Sequence, residues 1–238
     1  MLQIFVGGSL RDVAHEPDLC RQFVVALGSA IVRQDHVLLN GCRSSLDQEI
    51  ATAAHEWLTR NAKNPKGQII SYCLKGDKPI HSLGTVHCSA LLDWQITHSE
   101  LAVPEQLEKA DATIFVAGND GTFAAKNWAS IARKLILGIP RFGGSGETIY
   151  NQELKRLREI SPEAAKDYET LNSLSDDISD FADQVVRLTE RLVTTGNVFV
   201  IMSFKKELFE REAVEMPQWL EGQIRQIGRL QRHEWATV

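Results

Sequence analysis

The stretch Val116-Ala117-Gly118-Asn119-Asp120-Gly121-Thr122-Phe123-Ala124-Ala125, led in by an apolar run from Ala112, decides how this chain is read. Thr113, Ile114, Phe115 and Val116 are β-branched or aromatic without polar alternation, the pattern of a strand buried on both faces of a parallel sheet. Gly118 and Gly121 then let the backbone turn tightly, and Thr122 is placed to cap the helix that follows. Strand, glycine turn and helix N-terminus together aim N–H groups and a positive dipole end at one point, which suits a phosphate. An ordinary βα turn that binds nothing has the same local pattern, so the neighbours must decide.

Working outward, two further glycine turns end apolar strands: Gly7-Gly8-Ser9 after Leu2 to Val6, and Gly143-Gly144-Ser145-Gly146 after Ile139-Pro140-Arg141-Phe142. A fourth, weaker one is Asn40-Gly41, after the strand His36 to Leu39. In open α/β sheets ligands bind outside the carboxyl ends of the strands, where the strand order reverses. Several such turns in one domain favour a shared phosphate-bearing ligand. None matches GxGxxG with an acid about twenty residues on, and there is no GxxxxGK[ST]. Plain NAD dehydrogenases and P-loop ATPases are thereby disfavoured, and no cofactor is expected.

The rest of the chain alternates strands and helices. Helices are expected from Asp18 to about Val32, from the Ser45/Gln48 capping-box pattern through Leu58, over Glu105–Ala110, over about Phe123–Leu137, and to about Arg158. Gly138 is read as the C′ residue of the fourth of these, with the next strand starting at Ile139. Gln68 to Leu74 reads as a third strand and Val86 to Leu91 as a short one with Trp94 packing over it. Ser161-Pro162-Glu163 starts another helix, Ser173 to Ser179 is a loop, and Asp180 to Val193 is amphipathic. Past Thr195-Gly196 the pattern restarts with the apolar run Asn197 to Phe204, read as a strand. The expected fold class is α/β: a doubly wound, mostly parallel sheet with helices on both faces. Residues 1–195 form the domain and 196–238 a C-terminal strand-helix extension, either an edge strand of the main sheet or the start of a second domain.

With 238 residues, 43% hydrophobic and 24% charged, the chain is an ordinary globular one. A formal charge of −5 without a Lys/Arg stripe argues against a nucleic-acid partner. No apolar window is long enough for a membrane helix, and the N-terminus lacks a signal-peptide pattern. Cys20, Cys42, Cys73 and Cys88 form no CxxC pair and are expected as buried, reduced thiols in the cytoplasm. The loose group His81, His87, Cys88 and His98 fits no zinc spacing, so no metal is expected. Ser9 and Ser145 lack an identifiable base, which leaves no catalytic triad.

Among the charged residues, Arg11, Arg43 and Arg141 stand beside glycine turns, where a guanidinium clamps a pyrophosphate bidentately. For each, a solvated surface arginine is the commoner reading. Asp120 and Glu147 are candidates to accept from ribose hydroxyls, or simply favour a helix N-terminus. The candidate ligand set is therefore Gly7, Gly8, Ser9, Arg11, Asn40, Gly41, Arg43, Gly118, Asn119, Asp120, Gly121, Thr122, Arg141, Gly143, Gly144, Ser145 and Glu147.

The opening strand with Gly7-Gly8-Ser9, the turn Gly118 to Thr122 and the strand with glycines from Ile139 to Gly146 resemble the SLOG superfamily, a Rossmann-like group that includes LOG-type phosphoribohydrolases. The resemblance covers about Met1 to Val193. Its hydrolases carry PGGxGTxxE, whose glutamate serves catalysis. Here the positions read Ala117, Gly118, Asn119, Asp120, Gly121, Thr122, Phe123, Ala124 and Ala125. The outer glycines and the threonine are kept, but Ala125 stands in the glutamate's place and cannot act as acid or base. The resemblance thus implies a nucleotide sensor for an ADP-ribose-type, NAD-derived ligand in place of an enzyme, with no catalytic residue. The run Val198 to Phe204 resembles the first strand of TIR-like or nucleoside deoxyribosyltransferase-like domains, implying a TIR-type effector partner and an anti-phage setting; the sensing role is expected within a homo-oligomer. The alternatives are a LOG-like nucleotide phosphoribohydrolase using a displaced acid such as Glu147, and an interaction module that binds no ligand.

Overall fold

A computed structural model describes residues 1–11, 13–74, 76–89, 103–173 and 175–202. The chain divides into two compact units, Met1–Thr195 and Gly196–Val238. In the first, the apolar runs become six strands: β1 (Gln3–Ser9), β2 (Val37–Gly41), β3 (Ile69–Leu74), β4 (Thr85–Ser89), β5 (Ala112–Ala117) and β6 (Leu135–Ile139). They pair in the order β4-β3-β2-β1-β5-β6, all parallel. The order runs outward from β1 in one direction and then jumps to β5 on its other side. The crevice between β1 and β5 is therefore the switch point of a doubly wound sheet.

Helices cover both faces: α1 (Pro17–Arg33), α2 (Ser45–Arg60), α3 (Glu105–Lys109), α4 (Asp120–Ile131), α5 (Gly144–Ile160), α6 (Pro162–Glu169) and α7 (Ile178–Met202). Strand side chains alternate between two cores, as a period of two requires. Ile4, Val6, Ile114, Val116, Leu137 and Ile139 join residues of α1, α2, α6 and α7, among them Phe23, Leu27, Ile50, Tyr168 and Phe181. Phe5, Phe115 and Ile136 join Leu107, Ala125 and Trp128 of α3 and α4 on the other face. All six residues of β5 are buried, because both its faces are covered. Each large apolar side chain so buried stabilises the fold by roughly 1.5–3 kcal/mol.

Four expectations are corrected. Leu135 to Ile139 is β6, whereas the sequence suggested a helix to Leu137 with Gly138 as its cap. Helix α4 stops at Ile131, and Arg133 turns the chain with φ 55. Gly138 lies inside β6, where a Cβ would collide with the Gly146 carbonyl oxygen and lie 2.5 Å from the Tyr150 nitrogen. This glycine exists for close helix–strand packing. Its N–H donates to the buried Tyr168 hydroxyl at 2.9 Å. Pro140, which has no N–H to give, then ends the strand in a 3-10 turn (Pro140–Phe142).

The capping box of α2 is built by Ser44 and Asp47, not by Ser45 and Gln48. The apolar run after Gly196 does not open a strand: α7 continues through it to Met202, and residues 203 and 204 lie outside the described set. A short apolar run fits a helix face as readily as a strand, and one glycine costs a helix only about 1 kcal/mol. Finally, Cys20, Cys42 and Cys73 are buried, but Cys88 is exposed on the edge strand β4. Trp94 and His98 lie outside the described residues.

Candidate functional site

At the switch point the register places Gly8 beside Val116 and Ser9 beside Ala117. The backbones are so close that a Cβ on Gly8 would collide with the Val116 carbonyl oxygen. Beyond this pair β5 turns through two consecutive left-handed residues, Ala117 (φ 47) and Gly118 (φ 84). For an alanine this costs about 1–2 kcal/mol, a strain of the kind found at ligand sites. A Cβ on Gly118 would strike the Thr122 hydroxyl, and it would lie 3.3 Å from the Ser9 nitrogen. Gly7, Gly8 and Ser9, expected as a turn that ends the strand, are thus the last residues of β1, and they meet the turn after β5.

The third glycine turn joins them. The Ser145 N–H donates to the Gly118 carbonyl at 2.9 Å, and the Ser145 hydroxyl donates to the Asn119 carbonyl at 2.8 Å. Gly144 approaches so closely that a Cβ would lie 2.6 Å from the Gly118 oxygen. The β1–α1 loop closes the other side: the N–H groups of Ala14 and His15 both donate to the Phe142 carbonyl. This brings the His15 imidazole against Gly143, where a Cβ would sit 3.1 Å from His15 Cδ2. Sequence patterning missed His15, because only a tertiary hydrogen bond ties its irregular loop to the site.

The N-terminus of α4 opens onto this cluster. Its N-cap residue Asn119 makes no side-chain cap hydrogen bond, so the cap side chain leaves the first-turn N–H groups of α4 uncovered. Around Gly121 a Cβ would meet nothing within 4 Å. Open space, first-turn donors that the cap residue does not cover and the positive end of the helix dipole therefore coincide. At α5 the corresponding donors are partly consumed, since Ser145 gives its N–H to Gly118.

The fourth turn is closed by the protein's own anion. One Asp47 oxygen accepts from the Gly41 N–H at 3.1 Å. The other accepts from the Arg43 N–H at 3.1 Å, the Ser44 N–H at 2.9 Å and the Ser44 hydroxyl at 2.8 Å. The Asn40 side chain donates to the Asp47 carbonyl and accepts from the Ser71 hydroxyl, fully buried. Asn40 and Gly41 are thus occupied in holding β2 to α2, and a bound phosphate would meet the Asp47 carboxylate.

The three arginines separate in the same way. Arg43 pairs with Asp77 at 3.5 Å. Arg141 lies 3.4 Å from Glu16 and 3.9 Å from Asp176, with its guanidinium 5.8 Å from the centre of the Phe181 ring. Together with Glu147 it lines a cavity of about 280 Å³ at the end of β6. Arg11, whose N–H donates to the Ser9 hydroxyl oxygen, is exposed and has no ion-pair partner among the described residues. Asp120 is exposed in the first turn of α4.

Ala125, one turn further along α4, belongs to the apolar cluster of Phe5, Phe115 and Trp128. A glutamate in this environment would be desolvated away from the open amides. Of the His/Cys group, His81 Nε2 lies 3.8 Å from Cys42 Sγ and His87 stacks on Tyr72 at 5.5 Å. Among the described residues no three His, Cys, Asp or Glu side chains are placed to hold a metal ion. No helix among them is long and apolar enough to cross a membrane.

No family model matches the sequence, and no curated protein does. Among solved structures, the structural-genomics target TM1055 is similar over 63% of this chain and 81% of its own, with 18% identity and a TM-score of 0.50. That likeness is one of fold, and it supports the Rossmann-like reading of the six-stranded sheet. Two structures of the molybdenum cofactor carrier protein from Chlamydomonas reinhardtii are also matched. They show 19% and 18% identity and TM-scores of 0.44 and 0.43, over 57% of this chain and 74% of theirs.

Proposed function

We propose that this domain binds a nucleotide by its phosphates at the mouth of the β1–β5 crevice, and that it senses this ligand without converting it. The observation that carries the proposal is the open α4 N-terminus at the switch point, set against the α2 N-terminus that Asp47 seals. In this reading the Gly121 and Thr122 amides hold a phosphate, Gly8 and Gly118 let the end of β1 and the β5–α4 turn close up beside it, and Arg11 closes over it. Asp120 is then the acid near enough to accept from a ribose hydroxyl. The buried, apolar place of Ala125 favours sensing over hydrolysis.

The finer identity of the ligand, an ADP-ribose-type molecule derived from NAD, rests on the SLOG resemblance. So do a cytoplasmic homo-oligomer and a TIR-type effector partner in anti-phage defence. A thermal-shift panel of ADP-ribose, NAD and cyclic ADP-ribose isomers, with phosphate-free adenosine as control, tests the binding. A ligand present at a hundred times its Kd adds about 2.7 kcal/mol, a rise of roughly 5–10 °C for a domain of this size. Flat curves across the panel would leave an interaction module. Steady release of free base from AMP-type nucleotides would instead establish the hydrolase.

A further inference from the structure

At the other edge of the sheet, the parallel register of β3 and β4 sets Cys73 directly beside Cys88. Their Sγ atoms lie 3.1 Å apart, and both thiols are free. A disulfide requires Cα atoms about 4.4–6.8 Å apart, which registered positions on adjacent strands satisfy at about 4.8 Å strand spacing. Closing the sulfurs to bonding distance then takes a movement of about 1 Å. The two thiols also differ in access: Cys88 is exposed and Cys73 is fully buried behind it.

We propose that Cys73 and Cys88 form a redox site, which small-molecule disulfides of the glutathione class oxidise to an intramolecular disulfide. The exposed Cys88, as thiolate, attacks one sulfur of the small disulfide RSSR. The S–S bond breaks, the mixed disulfide forms on Cys88, and the first thiolate leaves and takes up a proton. Cys73 then loses its proton to solvent and attacks Cys88 Sγ, so the mixed bond breaks and a second RSH departs. Two electrons pass to the small disulfide: the protein dithiol and RSSR become the protein disulfide and two RSH. Burial and the adjacent Cys88 push the Cys73 thiol up to about 11, so the closing step accelerates as pH rises. The bond closes a loop that carries Asp77, the partner of Arg43, and His81, the neighbour of Cys42. Oxidation therefore acts on the β2–β4 side of the sheet and leaves the α4 N-terminus untouched.

The full chain, incubated with oxidised glutathione, is read by intact mass and by peptide mapping without reduction. The wild type is expected to lose two hydrogens and two of its four titratable thiols, with Cys73 linked to Cys88, and dithiothreitol is expected to reverse this. Cys73→Ser should stop at one glutathionyl adduct on Cys88. Cys88→Ser, a change at an exposed position, should form no cross-link. Four thiols remaining in the wild type, a lasting glutathionyl adduct on wild-type Cys88, or a cross-link to Cys42 would each overturn the proposal.

Discussion

Gly121 and Arg11 are the residues on which binding can be tested with least disturbance to the fold. A valine at Gly121 meets open space and no left-handed backbone, so the ligand-free melting temperature should stay within the change that about 1 kcal/mol produces. Its methyl groups would stand where the phosphate approaches, and the ligand-induced thermal shift should vanish. An undiminished shift would place the pocket elsewhere. Arg11→Ala should weaken binding of a phosphate-bearing ligand by about tenfold, as expected for one lost charge-assisted contact. The loss should shrink as salt is raised, read by titration at two ionic strengths. Arg141→Ala should weaken binding less, because Glu16 and Asp176 already engage that guanidinium.

Among the elements, the contrast between two helix N-termini matters most. Helix α2 carries its own anion in Asp47, which accepts three backbone N–H groups and the Ser44 hydroxyl. Asp47→Ala would strip all of them of their acceptor and should destabilise the domain by about 2 kcal/mol or more, measured as a lower urea midpoint. Since α4 follows a different strand, ligand binding per folded molecule should survive this change. The capping box was legible as a type but displaced by one residue, because Ser44 and Ser45 are equivalent until the β2 turn selects which one leaves the helix. Similarly, Gly138 looked like a helix end. Only the approach of α5 and the Tyr168 hydroxyl show it to be a strand glycine that makes room for a helix.

At the scale of the whole molecule, burial of two imidazoles gives folding a pH dependence. His36 is buried against α7: its Nδ1 accepts from the Leu2 N–H at 3.1 Å. Its Nε2 lies 2.9 Å from a Glu190 oxygen. Burial lowers its pKa below the ordinary histidine value, only partly offset by Glu190, and burial likewise lowers that of His81. Below about pH 6.5 the unfolded chain takes up protons that the folded one still refuses. Their contribution to stability is therefore complete above that pH, and it is lost as pH falls toward the lower, folded-state values. Urea midpoints should drop between pH 7.5 and pH 5. His36→Asn, which keeps an acceptor for the Leu2 N–H, should show a shallower drop; an equal drop would remove His36 as a cause.

What the sequence determined by itself was the alternation of strands and helices, the unbroken apolar β5 and the glycine turn that follows it, because these are local patterns set by side-chain period and backbone freedom. It also placed at position 125 an alanine, which can act as neither acid nor base, and that needs only a residue identity. Which turns meet was decided by the tertiary structure. Strand order puts the end of β1 beside the turn after β5, hydrogen bonds from Ser145 add the turn before α5, and Asp47 closes the end of β2. Those outcomes depend on groups brought together from distant parts of the chain, whose distances and competing partners exist only once the sheet has formed.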